Sequence, residues 1–132
     1  MKLITRDTDY ALRALCYIGK RNHEFTCVSE LVSALKIPRP FLRKILQILH
    51  NAGLLVSHKG KGGGFALAKK PQQIFLTDLM GAFQGKFCIN ECYFKKTICF
   101  HTRRCKVRKT IKKIERYAFD ELKSISIAGL IE

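Results

Sequence analysis

The sequence predicts a mainly α-helical protein that carries one small β-hairpin and ends in a long helix. Three observations support this fold class. Apolar residues recur at helical spacing along most of the chain, a glycine-rich stretch separates two short apolar runs, and a late segment carries a long apolar stripe. With 132 residues, of which 47% are hydrophobic, the chain is long enough to bury a core of its own.

Two helices are predicted near the N-terminus. The first runs from Thr8 to about Lys20, because apolar residues recur at helical spacing there, at Ala11, Leu12, Leu15 and Ile18. Acidic residues precede or begin it, which is typical of a helix start. Cys16 lies inside this helix and is interpreted as a small core residue. Thr26 offers an N-cap for a short second helix that continues to about Leu35.

A third helix is predicted from about Arg39 to Ala52, with Gly53 as its stop. Its expected buried stripe consists of Phe41, Leu42, Ile45, Leu46 and Leu49. The opposite side is basic and polar, at Arg39, Arg43, Lys44 and Gln47. Two short helices joined by a tight turn, the second with a basic outer face, predict a helix-turn-helix whose exposed side chains contact DNA bases and phosphates.

A β-hairpin is predicted directly after the third helix. Residues 54–58 and 65–67 are the two strands, and a lysine- and glycine-rich loop joins them, with Lys59 and Lys61 as expected backbone contacts. A glycine-rich loop could instead cradle a nucleotide, but this one lacks the P-loop spacing and no helix follows it. The sequence therefore predicts a winged helix-turn-helix DNA-binding domain over residues 1–84.

The remaining third of the chain is predicted to contain a cysteine-rich loop and a long helix. After a small helix from Thr77 to Phe83, residues 85–105 show no regular pattern. Residues 106–132 are predicted to form the last helix and a tail. The apolar stripe of this helix contains Val107, Ile111, Ile114, Ala118, Leu122 and Ile125. Such a stripe favours a dimerisation seam, with packing against the helix's own domain as the alternative.

The charge of the chain favours a polyanionic partner. Twenty-five Lys and Arg residues against ten Asp and Glu residues give a formal net charge of +15. Nucleic acid is the favoured partner because phosphate neutralisation releases counterions, and a generally solvated basic surface is the alternative. No signal peptide or membrane-spanning run is visible, so we expect a cytoplasmic protein without a membrane partner. No paired-carboxylate or Ser–His–Asp arrangement suggests an enzyme.

Four of the six cysteines fall in one short window, at Cys88, Cys92, Cys99 and Cys105. Their spacing matches neither a zinc knuckle nor a ferredoxin run. Thiolates are nevertheless soft ligands suited to zinc or iron–sulfur iron, and nearby Lys and Arg residues would offset the negative charge of such a centre. A metal site, a thiol switch and an accidental cluster therefore remain open, in that order of preference.

Several of these segments together resemble the Rrf2 family of bacterial regulators, of the IscR and NsrR type. The matching parts are Thr8-Asp9-Tyr10-Ala11-Leu12-Arg13, the helix-turn-helix through Leu54, the phrase Lys59-Gly60-Lys61-Gly62-Gly63-Gly64-Phe65-Ala66-Leu67, and the cysteine triplet. The resemblance implies a homodimer on a palindromic operator, with the third helix in the major groove. It also implies a two-iron or four-iron iron–sulfur cluster held by Cys92, Cys99 and Cys105.

The resemblance also bears on the fourth cluster ligand. IscR-like proteins use a histidine three positions after the third cysteine, where this chain has Arg108, which cannot donate a lone pair. NsrR-like proteins use an aspartate near the start of the first helix, contributed by the other subunit, and Asp9 occupies the matching position. We therefore expect Asp9 as the fourth ligand, with His101 and Cys88 as substitutes. An ordinary carboxylate at a helix start is the alternative for Asp9.

The leading hypothesis is a transcription repressor whose cluster senses nitric oxide, oxygen, redox state or iron supply. One alternative is a cluster-free thiol-switch or zinc-stabilised winged-helix regulator, and another is a basic architectural nucleic-acid-binding module. Many cluster-binding members of the family carry an acidic residue where this chain has Arg43, so its operator is expected to differ from theirs.

Overall fold

In a computed structural model, which describes residues 2–22, 24–89 and 104–131, the chain forms helices around one two-stranded hairpin. The order is α1 (Arg6–Gly19), α2 (Val28–Leu35), α3 (Arg39–Asn51), β1 (Leu55–His58), β2 (Gly64–Leu67), a 3-10 turn (Pro71–Gln73), α4 (Leu76–Gln84), α5 (Lys106–Lys123) and α6 (Ile127–Ile131). The predicted fold class, mainly helical with a β-hairpin wing, is confirmed.

The core is built around α1, which packs against α3, α4, α6 and β2. Its apolar stripe supplies Ala11, Ala14 and Leu15, all fully buried, as helical spacing requires of an inward face. From α3 come Leu42, Ile45, Leu46 and Leu49. This shared interior fixes the position of the outer face of α3 relative to the rest of the domain.

The hairpin is antiparallel, with Leu55 opposite Leu67 and His58 opposite Gly64. Strand β2 also pairs on its other side with Thr26, whose N–H and carbonyl exchange two hydrogen bonds of 2.9 Å with Phe65. Thr26 is therefore completely buried beside the hairpin, and Cys27 rather than Thr26 precedes the first turn of α2. The predicted N-cap was wrong by one residue because Thr26 belongs to this extra pairing.

One predicted core residue is also wrong. Phe41 is 58% exposed, whereas the other four members of the expected stripe of α3 are buried. At 100° per residue, Phe41 lies at the edge of that stripe, where the neighbouring helices no longer cover it.

After α5 the chain returns to the core formed by the preceding helices. A bridge pairs Phe75 with Ser126, the Leu76 N–H donates to the Ile125 carbonyl at 2.9 Å, and the Ile127 N–H donates to the Ile74 carbonyl at 2.8 Å. Ile127 is fully buried, so α6, which sequence patterning did not predict, completes the core against α1.

The long helix α5 differs from the others because none of its residues is buried. Three side chains on one face are largely exposed, Val107 at 67%, Ile114 at 54% and Tyr117 at 71%. Within the described part of the chain, α5 packs mainly against α4. Within the described ranges, no helix combines the length and the apolar character that crossing a membrane requires.

Candidate functional site

All six predicted DNA-contacting side chains are exposed. Arg43, Lys44 and Gln47 project from the face of α3 opposite its buried stripe, Arg39 is the first residue of the helix, and Lys59 and Lys61 lie in the turn of the hairpin. Two of the α3 side chains make local contacts. A terminal nitrogen of Arg39 donates to Ser29 Oγ at 2.9 Å, and Gln47 Nε2 donates to Asn51 Oδ1 at 3.1 Å. These bonds orient the two side chains while leaving them accessible.

The charge of this region has a single sign. Between Glu30 and Asp78 the chain contains eight Lys and Arg residues and no Asp or Glu. This interval covers all of α3 and the hairpin. A surface without carboxylates attracts a phosphate backbone without local repulsion.

The pairing of Thr26 with Phe65 fixes the hairpin to the start of α2. Gly64 has a φ of +147°, and a Cβ built there would lie 2.1 Å from the Thr26 carbonyl oxygen. A Cβ at Gly63 would lie 2.2 Å from the His58 carbonyl oxygen. Glycine is therefore required at Gly64 for the close backbone approach that joins the wing to the helix-turn-helix, and at Gly63 for the tight turn of the hairpin itself.

A polar network fixes α2 against α1. The Tyr17 hydroxyl donates to Glu30 Oε1 at 2.9 Å, and the Arg21 guanidinium donates to the same oxygen. The hydrogen bond to Glu30, assisted by desolvation, raises the pKa of Tyr17 above its ordinary value. The only carboxylate on α2 is thus occupied within the protein and does not oppose the basic surface.

Phe41 is a residue of this surface that sequence reasoning missed. Its side chain is exposed on the first turn of α3. An apolar side chain on a recognition helix can contact a thymine methyl group. Two features could have identified it, its position at the edge of the apolar stripe and the basic residues on either side.

Of the four predicted cluster ligands, Asp9 and Cys105 are described, whereas Cys92 and Cys99 lie outside the described residues. Asp9 is on the first turn of α1, with a side chain 42% exposed that accepts from Arg13 Nε at 3.0 Å. An exposed pair of this kind contributes little to stability, about 0–1 kcal/mol, so the carboxylate can exchange its partner.

Cys105 is the N-cap of α5, and its half-buried sulfur accepts a hydrogen bond from the Arg108 backbone N–H at 3.4 Å. Cysteine sulfur and carboxylate oxygen are ligand atoms that iron binds, so the chemistry of these two residues fits an iron–sulfur group. No set of three His, Cys, Asp or Glu residues with metal-binding geometry occurs among the described residues. His101 is outside them, and Cys88 is exposed near the end of the described segment.

The remaining two cysteines have different surroundings. Cys16 is half-buried against the core, as predicted, and burial raises its pKa above the ordinary value. Cys27 is exposed at the start of α2.

Comparison with known proteins gives concordant matches. The family model "Rrf2: Iron-dependent Transcriptional regulator" matches residues 4–132. The chain is 33% identical over 124 residues to a protein of Aquifex aeolicus (strain VF5) named as an HTH-type transcriptional regulator, with 92% of this chain and 86% of that protein covered. It is 31% identical over 127 residues to the HTH-type transcriptional regulator NsrR of Oceanobacillus iheyensis, with 95% and 86% covered.

The fold is similar to the solved structure of CymR, named as the global cysteine regulator of B. subtilis. The TM-score is 0.84 at 20% identity, and the match covers 99% of this chain and 97% of CymR. The relatives are transcriptional regulators, which confirms the expectation of a regulator and not an enzyme.

Proposed function

Because this chain belongs to the Rrf2 family of transcriptional regulators, we propose that it represses transcription as a homodimer on a palindromic operator, under the control of an iron–sulfur cluster. The observation that carries the DNA-binding part is the arrangement of α3 and the wing. Six exposed basic or polar side chains lie on two elements that the Thr26–Phe65 pairing and a shared core hold together.

The proposed roles of these side chains follow from their chemistry. Arg39, Arg43 and Gln47 would read base edges, since arginine pairs with guanine and glutamine with adenine in the major groove. Lys44, Lys59 and Lys61 neutralise phosphates, which positions the domain on the duplex without reading its sequence.

The proposed dimer uses α5. Val107, Ile114 and Tyr117 form an exposed apolar face, and a second copy of the same helix would bury it. Two copies then present two α3 helices to half-sites about one helical turn apart, roughly 34–36 Å centre to centre, which requires a palindromic sequence. A repressor of this kind acts in the cytoplasm, where its operator is.

The proposed cluster is held by Cys92, Cys99 and Cys105 of one subunit and by Asp9 of the partner subunit. When bound, an iron–sulfur cluster supplies a centre that reacts with nitric oxide or oxygen and responds to redox state and iron supply. Cys105 would hold it at the N-terminus of α5, the helix of the proposed dimer contact. Asp9 would hold it from α1, which packs directly on α3. A displacement of Cys105 or Asp9 on cluster loss would therefore move α5 or α1, the two helices that would position the DNA-binding surfaces.

The first experiment is anaerobic purification from iron-replete cells, followed by a visible absorption spectrum and assays for iron and acid-labile sulfide. We expect a brown protein whose absorption bands bleach on exposure to nitric oxide or oxygen. A colourless protein that still binds a palindromic duplex contradicts the cluster assignment. The assignment as a DNA-binding regulator would then stand without the cluster.

The fourth ligand is tested with Asp9→Ala. We expect an altered cluster spectrum and faster cluster loss to a chelator. The matched control is Asp7→Ala, which removes an exposed carboxylate from the same helical turn. An unchanged spectrum and an unchanged rate of loss in Asp9→Ala contradict the role of Asp9.

A second candidate function is a thiol-controlled regulator without a cluster. The exposed thiol of Cys27 at the start of α2 favours it. Oxidation of wild-type protein with peroxide should then lower its affinity for DNA, and Cys27→Ser should abolish that response.

A further inference from the structure

The side chain of Gln84 joins the end of α4 to the N-terminal segment by three hydrogen bonds. Its Oε1 accepts from the Thr5 backbone N–H at 3.1 Å and from the Thr8 hydroxyl at 2.7 Å. Its Nε2 donates to the Leu3 carbonyl at 3.1 Å. One amide group thus fixes three residues that are 76–81 positions away in the sequence.

These three residues define the turn that presents Asp9. Thr5 is the N-cap of α1, and its carbonyl accepts the Asp9 N–H at 2.9 Å. Thr8 is fully buried, and its hydroxyl lies 3.0 Å from Thr5 Oγ1. The backbone position of Asp9 is therefore set by groups that depend on Gln84, whereas the Asp9 carboxylate itself contacts only the exposed Arg13 among the ion pairs described.

Gln84 is also the last residue before residues 85–105, the cysteine-bearing segment. Gly85 follows with a φ of +74° and a ψ of −154°, a backbone conformation that favours glycine and turns the chain sharply. Residues 85–89 then pass beside the N-terminal segment, and a small cavity of about 70 Å³ between them is lined by Leu3, Gln84 and Cys88 among others. The Ile89 N–H donates to Glu115 on α5 at 3.0 Å.

We propose that Gln84 is a positioning residue that couples the cysteine-bearing segment to the DNA-binding surface. This inference rests on the proposed function. Within one subunit, Gln84 connects the chain that leads to the cluster cysteines with the turn that offers Asp9. A displacement of residues 85–89, or of Asp9, changes the geometry of the same three hydrogen bonds. Because α1 packs on α3, that change alters the position of the recognition helix.

The test uses full-length Gln84→Leu, Gln84→Glu and wild-type protein, each with and without a cluster reconstituted from ferrous iron and sulfide. The probe is a DNA duplex that the wild-type protein selects from a random-sequence library. The matched control is Gln72→Leu, since Gln72 is an exposed glutamine on the 3-10 turn. The quantity compared is the ratio of the duplex affinities of the cluster-loaded and cluster-free forms.

In the wild type this ratio should differ from one by roughly 5- to 150-fold, as for other coupled sites. Gln84→Leu should move the ratio toward one by roughly 2- to 30-fold and leave the cluster-free affinity as in the wild type. Gln84→Glu keeps the acceptors for Thr5 and Thr8, and it replaces the donor to Leu3 by a charged oxygen that the Leu3 carbonyl repels, so its ratio should be intermediate. Gln72→Leu should match the wild type.

A second readout does not depend on the cluster. Amide hydrogen exchange of residues 5–9 should accelerate by roughly tenfold in cluster-free Gln84→Leu, with exchange in α3 unchanged. Wild-type exchange in the variant, or a wild-type affinity ratio, contradicts the role of Gln84. A loss of cluster-free DNA binding in Gln84→Leu identifies it as a general structural residue and overturns the coupling. A wild-type ratio of one contradicts the proposed function itself and the coupling with it.

Discussion

Helices α3 and α5 are both amphipathic and both basic on one side, yet their apolar sides have different environments. Four apolar residues of α3 are buried in the domain core, whereas no residue of the longer α5 is buried. The shape of the α3 surface is therefore determined within one chain. In the proposed dimer, a second molecule covers the exposed apolar face of α5. The proposed DNA-contacting surface is thus formed within a single subunit, and the proposed relation between two such surfaces depends on α5.

The largest effect is expected from the buried side of α3. Leu46→Ala should lower the free energy of unfolding by roughly 2–5 kcal/mol, because it leaves a cavity in a fully packed core. Chemical denaturation at low protein concentration measures it. The control is Val107→Ala on the exposed face of α5, which should cost much less under the same conditions. Equal decreases in the free energy of unfolding for the two variants would show that α5 is packed as firmly within its own chain as α3.

A smaller effect is expected when the outer sides of the two helices are compared. Arg43→Ala on α3 should weaken binding to the selected duplex by roughly 1–3 kcal/mol and relax its sequence preference. Lys112→Ala, which removes a charge from the basic side of α5, should change the affinity much less. Fluorescence anisotropy with selected and random duplexes separates base reading from charge. Equal losses on both duplexes would argue against base reading by Arg43.

The apolar face of α5 is tested by Ile114→Asp. Burial of a carboxylate in the proposed dimer contact should weaken dimerisation by at least about tenfold, which corresponds to about 1.4 kcal/mol. Sedimentation equilibrium measures this change. Lys112→Asp places the same carboxylate on the opposite side of the helix and should leave the dimer intact. A variant Ile114→Asp that remains a wild-type dimer would assign the contact to another surface.

The smallest effect concerns two cysteines in the DNA-binding domain. Burial raises the pKa of Cys16, so less of it is thiolate at a given pH, whereas Cys27 is exposed. Iodoacetamide should therefore alkylate Cys27 faster than Cys16, and raising the pH from about 7 to about 9 should accelerate the reaction at Cys16. Peptide mass spectrometry gives both rates. Faster alkylation of Cys16 would contradict its burial in the domain.

Sequence reasoning was most successful where local patterning decides the structure. The helical period of α1 and α3 and the glycines of the wing follow from spacing alone, and the family resemblance follows from the same segments. Phe41 was assigned to the core because a periodic stripe does not reveal where neighbouring helices stop covering it. Helix α6 was missed because five residues carry too short a pattern, and the pairing of Phe75 with Ser126 spans the chain.

The candidate site shows the same difference between features set by local sequence patterns and features set by contacts between distant residues. The exposure of the proposed DNA-contacting residues of α3 could be predicted because it follows largely from the helical period. Gln84 could not, because its three bonds join residues at opposite ends of the DNA-binding domain and leave no local signal. Asp9 was identified through the resemblance, and its position on the first turn of α1 is compatible with that role.

In the proposed function, a cluster at the cysteine-bearing segment controls DNA binding at α3 and the wing. The most direct measurement is the affinity of one anaerobic preparation for the selected duplex before and after cluster removal by nitric oxide, at fixed salt concentration. The two affinities should differ by roughly 5- to 150-fold. Equal affinities of the cluster-loaded and cluster-free forms would contradict it.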